Sequence, residues 1–158
     1  MIKHTNVLPT FGLYIIDDKV HHVTEIIQGL SLRSLLIEFG SMEEHTARIY
    51  VRQLVEGVKA MHRQGLRHNR INLDNVLHDK EGNVWINPFT ASQKPPTEKE
   101  KNLYTYYFPP ETLLAKERVI QSRNDVWGIG CITLQLITQK SVRLCPYHPY
   151  NFSNGSLT

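Results

Sequence analysis

The strongest constraint on how this chain folds is a stripe of apolar side chains between positions 47 and 61. Ala47, Tyr50, Val51, Leu54, Val55, Val58 and Met61 recur at spacings of three and four, the repeat of one helix face, and a stripe that wide must be buried. The spacing predicts a long helix that serves as a central pillar. Ser41, followed three residues on by Glu44, reads as a capping box at its start, and Gly65 as its end. Before it, SLRSLLIEFG reads as a short helix begun by Ser31 and stopped by Gly40. A second long helix is expected from about Ser122 to Thr138. Val126, Ile129, Cys131, Ile132, Leu134, Leu136 and Ile137 make it apolar on nearly every side, which predicts a buried helix.

Strands are expected elsewhere. Phe11 to Asp17 and Val20 to Ile27 are β-branched and aromatic runs flanking Asp18 and Lys19, the pattern of a tight hairpin. Val76 to Ile86 reads as two short strands about a turn at Glu81 and Gly82. Pro88 to Pro110, rich in proline and mixed charge, reads as a surface loop, and the polar residues after Lys140 as a fraying tail. With 158 residues, 41% of them hydrophobic and 21% charged, the chain is long and apolar enough for one domain with a real core. The net charge of +3 is dispersed, without the basic block of a nucleic-acid arm. No run approaches the ~18 apolar residues of a membrane span, and the first residues lack the apolar core of a signal peptide. Two cysteines, Cys131 and Cys145, fit a reducing compartment. Cytoplasm or nucleus is the expected location, so the sequons at Asn151 and Asn154 carry no expectation of glycosylation.

RHNRINLDNVL, Arg67 to Leu77, resembles the catalytic loop of eukaryotic protein kinases, H-R-D-x-x-x-x-N. Other passages fall in the family's order. HTNVLPTFG, two strands and TEIIQGLSLRSLL resemble the run from the loop after the regulatory helix to the hinge and the first large-lobe helix. INPFTAS resembles the magnesium-binding motif, YYFPPE the end of the activation segment, and NDVWGIG the start of the central helix. The resemblance implies an α+β protein kinase-like fold: a remnant small-lobe β hairpin and hinge over residues 1–29 and a mainly helical large lobe over 30–140, with 141–158 an irregular tail. It implies truncation at both ends. On that resemblance the glycine-rich loop, the V-A-I-K lysine and the regulatory helix are expected to be missing before Met1, and the last large-lobe helices after the tail.

The chemistry of phosphoryl transfer is degenerate residue by residue. The catalytic loop opens with His68, Asn69 and Arg70, so a guanidinium that accepts no proton stands at the base position. D-F-G matches Pro88, Phe89 and Thr90, which removes the metal-binding carboxylate, and the lysine two residues after the base is Asn72. Asn75, at the second-metal position, is a vestige, or an amide that ties the loop backbone together. Asp74, four positions past the base site, is a poor substitute. Glu25, Ile27 and Leu77 match hinge and floor positions that contact adenine. His68, Phe89, Pro110, Glu111, Asp125, Trp127 and Gly130 match architectural positions, with Asp125 expected to grip the catalytic-loop backbone. Glu111 is expected to lie buried without its family partner. Tyr104 stands where serine/threonine kinases carry a threonine, and Tyr104 to Tyr107 reads as a groove wall in preference to a phosphorylation site. His68 reads as a packed histidine. His21 and His22 point to opposite strand faces, and no Cys or His spacing suits zinc.

The expectation is therefore a catalytically inactive, pseudokinase-type binding or regulatory module. No cofactor is expected; ATP and magnesium belong to the alternative of an active serine/threonine kinase represented by an incomplete sequence. A gene fragment without stable function is the third reading. A protein partner, such as an active kinase, is expected to cover the open sheet edge and apolar faces, with self-association as the other outcome; neither nucleic acid nor membrane is an expected partner.

Overall fold

The computed structural model describes residues 2–88, 105–114 and 122–140. The apolar stripe forms the pillar: helix α2 (Glu44–Arg63) buries Ala47, Tyr50, Leu54, Val58 and Met61, with Gly57 among them. Val51 is half-buried and Val55 exposed, so the stripe is narrower than its sequence pattern. The capping box does not form. Glu43 is the N-cap, and no side chain caps the helix. The start is set from a distance: the Met42 N–H donates to the Leu136 carbonyl at 2.7 Å, holding Ser41 outside the first turn. At the other end Gly65 takes a left-handed φ of 75°. Helix α1 (Leu32–Phe39) forms as its sequence signals indicate. The Ser34 N–H donates to Ser31 Oγ, and Gly40 closes the helix at φ 82° with its N–H on the Leu36 carbonyl.

Strands β1 (Thr10–Ile16) and β2 (Lys19–Thr24) form an antiparallel hairpin. Its turn is Asp17–Asp18, one residue earlier than expected, with both residues left-handed at φ 49° and 57°. Two such residues match the twist of the flanking strands, and aspartate tolerates the conformation. Lys19 is thus a strand residue opposite Ile16. Strand β2 stops at Thr24, and Ile26 is 89% exposed.

A second, antiparallel sheet has the order β3 (Gly29–Ser31), β4 (Val76–Asp79), β5 (Val84–Ile86). The β4–β5 hairpin follows the sequence pattern, with Gly82 in its turn at φ 81°. Strand β3 was not legible beforehand. It requires glycine at position 29, where a Cβ would lie 1.8 Å from the His78 carbonyl oxygen. The segment before β1 is tacked to β5, with Leu8 N–H on the Ile86 carbonyl and Ile86 N–H on the Asn6 carbonyl. Gln53 of α2 clasps the same edge, accepting from Asn6 Nδ2 and the Val84 N–H.

The expected loop of 88–110 is structured at its end. A single helical turn at Thr105–Tyr107 and the short helix α3 (Pro110–Leu114) precede Ser122, and Tyr106 and Tyr107 are buried. Proline suits a first helical position because its missing N–H would have no partner there. Phe89, Thr90 and Tyr104 lie outside the described residues, as does the tail after Lys140. Helix α4 (Ser122–Thr138) has the expected bounds and packs on α2, but its burial is one-sided. Asn124, Asp125, Gly128, Ile129, Cys131, Ile132, Gln135 and Leu136 are buried, whereas Val126, Leu134 and Ile137 are exposed. Apolar composition around a helix records what could be covered, and α2 covers one side.

Gly128 is the tight point of this packing, since a Cβ there would meet the Ile71 carbonyl oxygen at 2.8 Å and its Cβ at 2.9 Å. Gly128→Ala is expected to destabilise the chain by about 1–3 kcal/mol, the penalty of overpacking. Gly130→Ala, where nothing lies within 4 Å of a new Cβ, is expected to stabilise by about 0.5–1 kcal/mol through helix propensity. Urea denaturation of the two variants checks both signs.

Candidate functional site

The loop from His68 to Asn75 joins α2 to β4 and is held at every turn by named hydrogen bonds. Asp125, in the first turn of α4 and 0% exposed, accepts three of them. Its Oδ1 takes the Asn69 N–H at 2.6 Å, and its Oδ2 takes the His68 N–H at 3.0 Å and His62 Nε2 at 2.7 Å. The expected grip on the loop backbone is present. Its cost to the loop is visible at Asn69, which adopts a left-handed φ of 56°, a conformation asparagine enters more readily than most residues. The Asn69 side chain continues the network: Asn124 Nδ2 donates to its Oδ1, and Thr112 Oγ1 of α3 donates to Asn124 Oδ1.

His68 is buried, as expected of a packed histidine. Its Nε2 faces the Asn87 carbonyl at 2.8 Å and must donate, while its Nδ1 accepts the Arg70 N–H at 3.2 Å. Both bonds are satisfied together by the neutral Nε2–H tautomer. Burial, the largest influence, holds the ring below its ordinary pKa of 6.5, with the Arg70 charge acting the same way against the Asn87 carbonyl and Asp125.

Arg70, at the position that the resemblance gives to the base, is half-buried with its backbone pinned on both sides. Its N–H is on His68 Nδ1 and its carbonyl accepts Asn75 Nδ2 at 2.8 Å. That second bond is the backbone-tying role weighed for Asn75. Asn72, at the lysine position, is buried and turns inward, its Oδ1 accepting the Asp74 and Asn75 N–H groups at 2.9 and 3.1 Å in an Asx turn. Asp74 is engaged by another cation. Its Oδ1 accepts from Arg33 Nε at 2.6 Å; burial opposes the Arg33 charge, but Asp74 more than offsets it and raises the guanidinium pKa. Pro88 is half-buried at the end of the described segment, one residue past the Asn87 that braces His68.

The expected adenine contacts sit apart in sequence but share a region. Glu25 is exposed, its N–H on the Pro9 carbonyl; the half-buried Ile27 accepts from Gly29 at the start of β3; and Leu77 of β4 pairs with Ser31 of β3. His21 and His22 do point to opposite faces, opposite Tyr14 and Leu13 respectively. Among the described residues no group of three His, Cys, Asp or Glu side chains converges.

Glu111 is exposed, so the feared buried carboxylate does not exist. Trp127 holds the segment beside it: Trp127 Nε1 and Cys131 Sγ both donate to the Tyr106 carbonyl, at 3.0 and 3.3 Å. Burial pushes the Cys131 thiol up to about 12, which leaves it protonated and unreactive. Tyr107 Oη donates to Gln135 Oε1 at 2.5 Å, and burial raises its pKa. Tyr106 and Tyr107 are thus wall residues closed to a modifying enzyme in this conformation. His62, Arg33, Asn124 and Gln135 belong to these networks and carried no signal in the sequence, because each partner lies dozens of residues away or on another element.

The family model described as the protein kinase domain matches residues 1–146. Among curated proteins, the chain is 28% identical over 146 residues to mitogen-activated protein kinase kinase kinase ANP1 of Arabidopsis thaliana, a match covering 89% of this chain and 22% of that protein. It is 28% identical over 151 residues to the MAP kinase kinase kinase wis4 of Schizosaccharomyces pombe, covering 87% of this chain and 11% of that protein. Sperm motility kinase 3A of Mus musculus matches at 28% over 142 residues, covering 89% and 28%. The chain therefore spans less than a third of the length of these relatives. A crystal structure of Rad53 1–466 in complex with AMP-PNP superposes with a TM-score of 0.72 at 23% identity, covering 88% of this chain and 35% of that one. This likeness shows the fold.

The neutral, buried His68 makes stability depend on pH. Below about 6.5 the unfolded chain binds a proton that the folded ring resists. Stability is therefore full above that value and falls as pH drops toward the lowered folded-state pKa. Urea midpoints taken from about pH 8 to about pH 5 should decline below 6.5, and the decline should be shallower in His68→Gln. An equal decline in the variant would assign the effect to another group.

Proposed function

The chain belongs to the protein kinase domain family, and we propose that within it this chain is a catalytically inactive member that works by binding or regulating a protein partner. The observation that carries this reading is Arg70. Kinase chemistry depends on positioning and charge neutralisation, with a carboxylate to receive the hydroxyl proton and another to hold magnesium. A guanidinium accepts no proton and repels the metal. Arg70 is also fixed in place, because His68 and Asn75 hold its backbone and Asp125 holds the two residues before it.

Magnesium does not fit the donors present. Pro88 offers neither charge nor a side-chain oxygen, Asp74 Oδ1 is paired with Arg33, and Asn75, whose Nδ2 is bonded to the Arg70 carbonyl, has only a neutral amide oxygen to offer. Adenine contact at Glu25, Ile27 and Leu77 is compatible with this reading, but only as weak binding without a metal bridge to the phosphates. Losing one transition-state stabiliser typically costs about 10²–10³ in rate, and here base and metal ligand are replaced together.

A protein partner, with a complete kinase as the expected class, is supported by the apolar surface on the β1–β2 hairpin, where Leu13, Ile15 and Val20 of one face and Tyr14 and Ile16 of the other are exposed. An isolated two-stranded hairpin is marginal in water and gains from cover. Among the described residues no helix is long and apolar enough to cross a membrane, and a cytoplasmic or nuclear location is part of the same proposal. The alternative, an active serine/threonine kinase of which these residues are one part, is favoured by the kinase names of the relatives. It is opposed by Arg70 and Pro88, which no flanking sequence changes.

Purified chain is expected to transfer no labelled phosphate from ATP to itself or to generic substrates. Transfer that disappears in Asp74→Asn would overturn the inactive reading. In a thermal-shift titration ATP is expected to raise the melting temperature little, and equally with and without magnesium; a shift that grows with magnesium would show a working metal site.

A further inference from the structure

From Gly57 to Leu73 the sequence contains Lys59, Arg63, Arg67 and Arg70 and no acidic residue. The structure deepens that imbalance at the loop, because it hides Asp74 and Asp125, the carboxylates engaged in the loop's own bonds. Asp125 is 0% exposed, and its oxygens accept from His62, His68 and Asn69. Asp74 has one oxygen on Arg33 Nε at 2.6 Å, and the other is buried without a hydrogen-bond partner. Neither carboxylate is open to a cation from outside. Arg67 and Arg70 are only half-buried, and Arg33 cancels the one acidic charge that the loop carries. On α3 and α4, Glu111 and Arg123 line one groove and offset each other. Residues 89–104 and 115–121 do not restore the balance. The first segment has Lys94, Lys99 and Lys101 against Glu98 and Glu100, and the second Lys116 and Arg118 against Glu117, so each adds net positive charge.

We propose that the loop from Arg67 to Asn75 is the docking point for an acidic segment of a protein partner, with a Glu or Asp carboxylate of that segment received by Arg70. A guanidinium has five N–H donors in a rigid fork that matches a carboxylate, so Arg70 takes one from a partner in addition to its contacts within the chain. Its backbone is already fixed by His68 Nδ1 and Asn75 Nδ2, and a residue ordered beforehand loses little freedom on binding. A basic segment would meet like charge and no available carboxylate, which disfavours it. The inference rests on the reading that this chain binds a protein partner and names the chemistry of that partner. It does not depend on whether phosphate is transferred.

The test is fluorescence anisotropy with the full chain and two labelled peptides, one of alternating Glu and Ser and one with Lys in place of every Glu; circular dichroism checks the folding of each variant. Wild type is expected to bind the Glu peptide, more weakly as salt is raised from about 0.05 to about 0.5 M, and not the Lys peptide. Arg70→Asp and Arg70→Gln are each expected to weaken binding at least about tenfold. Arg52→Asp makes the same change in net charge as Arg70→Asp at an exposed position of α2, and is expected to weaken binding less than about twofold. Arg33→Gln releases Asp74 and is expected to let the Lys peptide bind. Equal weakening by Arg52→Asp and Arg70→Asp would assign the attraction to the overall charge and overturn the proposal. Preference for the Lys peptide in the wild type overturns it as well. A chain that transfers no phosphate and binds neither peptide removes this proposal and leaves the inactive, partner-binding reading standing.

Discussion

A carboxylate in the dry interior must be matched by donors or it destabilises the fold by several kcal/mol, and Asp125 is such a group, fully buried at the start of α4. Its partners are the His68 and Asn69 N–H groups and the His62 ring. Meeting that demand brings the end of α2, the loop and α4 to one point. It also bends the backbone at Asn69 into the left-handed region and sets the direction in which Arg70 leaves. One turn along α4, Gly128 lets the Ile71 carbonyl approach. Loop and helix are therefore seated together.

Architecture and chemistry separate on this account. The Asp125 grip, the Asn72 turn and the Asn75 tie all act on backbone groups of the loop, so they hold whatever side chain occupies position 70. A cation at that position changes what the site can do without changing how it is built. The same holds on the other side of α4, where Trp127 and Cys131 fix the Tyr106 carbonyl and Gln135 receives Tyr107. Those bonds form a rigid wall beside α3, suited to presenting a surface. Function resides in sites placed on a fold, and a fold can outlast one of them.

Much of this was legible in order and spacing. The periodicity of Ala47 to Met61 required a buried helix, Ser31 and Gly40 bounded the short one, and the motif order placed Asp125 against the loop. Arg70 and Pro88 could be read as losses because proton acceptance and metal ligation are properties of a side chain, wherever it sits. Local signals failed where distant groups overrode them. The Ser41–Glu44 box lost to the Met42–Leu136 backbone bond, and the hairpin turn moved to Asp17–Asp18 because strand twist favours two left-handed residues.

The sequence by itself determined the three longer helices, the family's order of elements and which side chains stand at positions 70 and 88, since each of these depends on neighbours in the chain or on the chemistry of one residue. Only the tertiary structure decided which polar residues pair across the fold. Arg33 with Asp74 and His62 with Asp125 are separated by 41 and 63 residues, and no spacing rule reaches that far. It also decided which side of α4 is covered. Apolar composition can make a face fit for burial, but burial requires a neighbour, and a neighbour is a property of the folded chain.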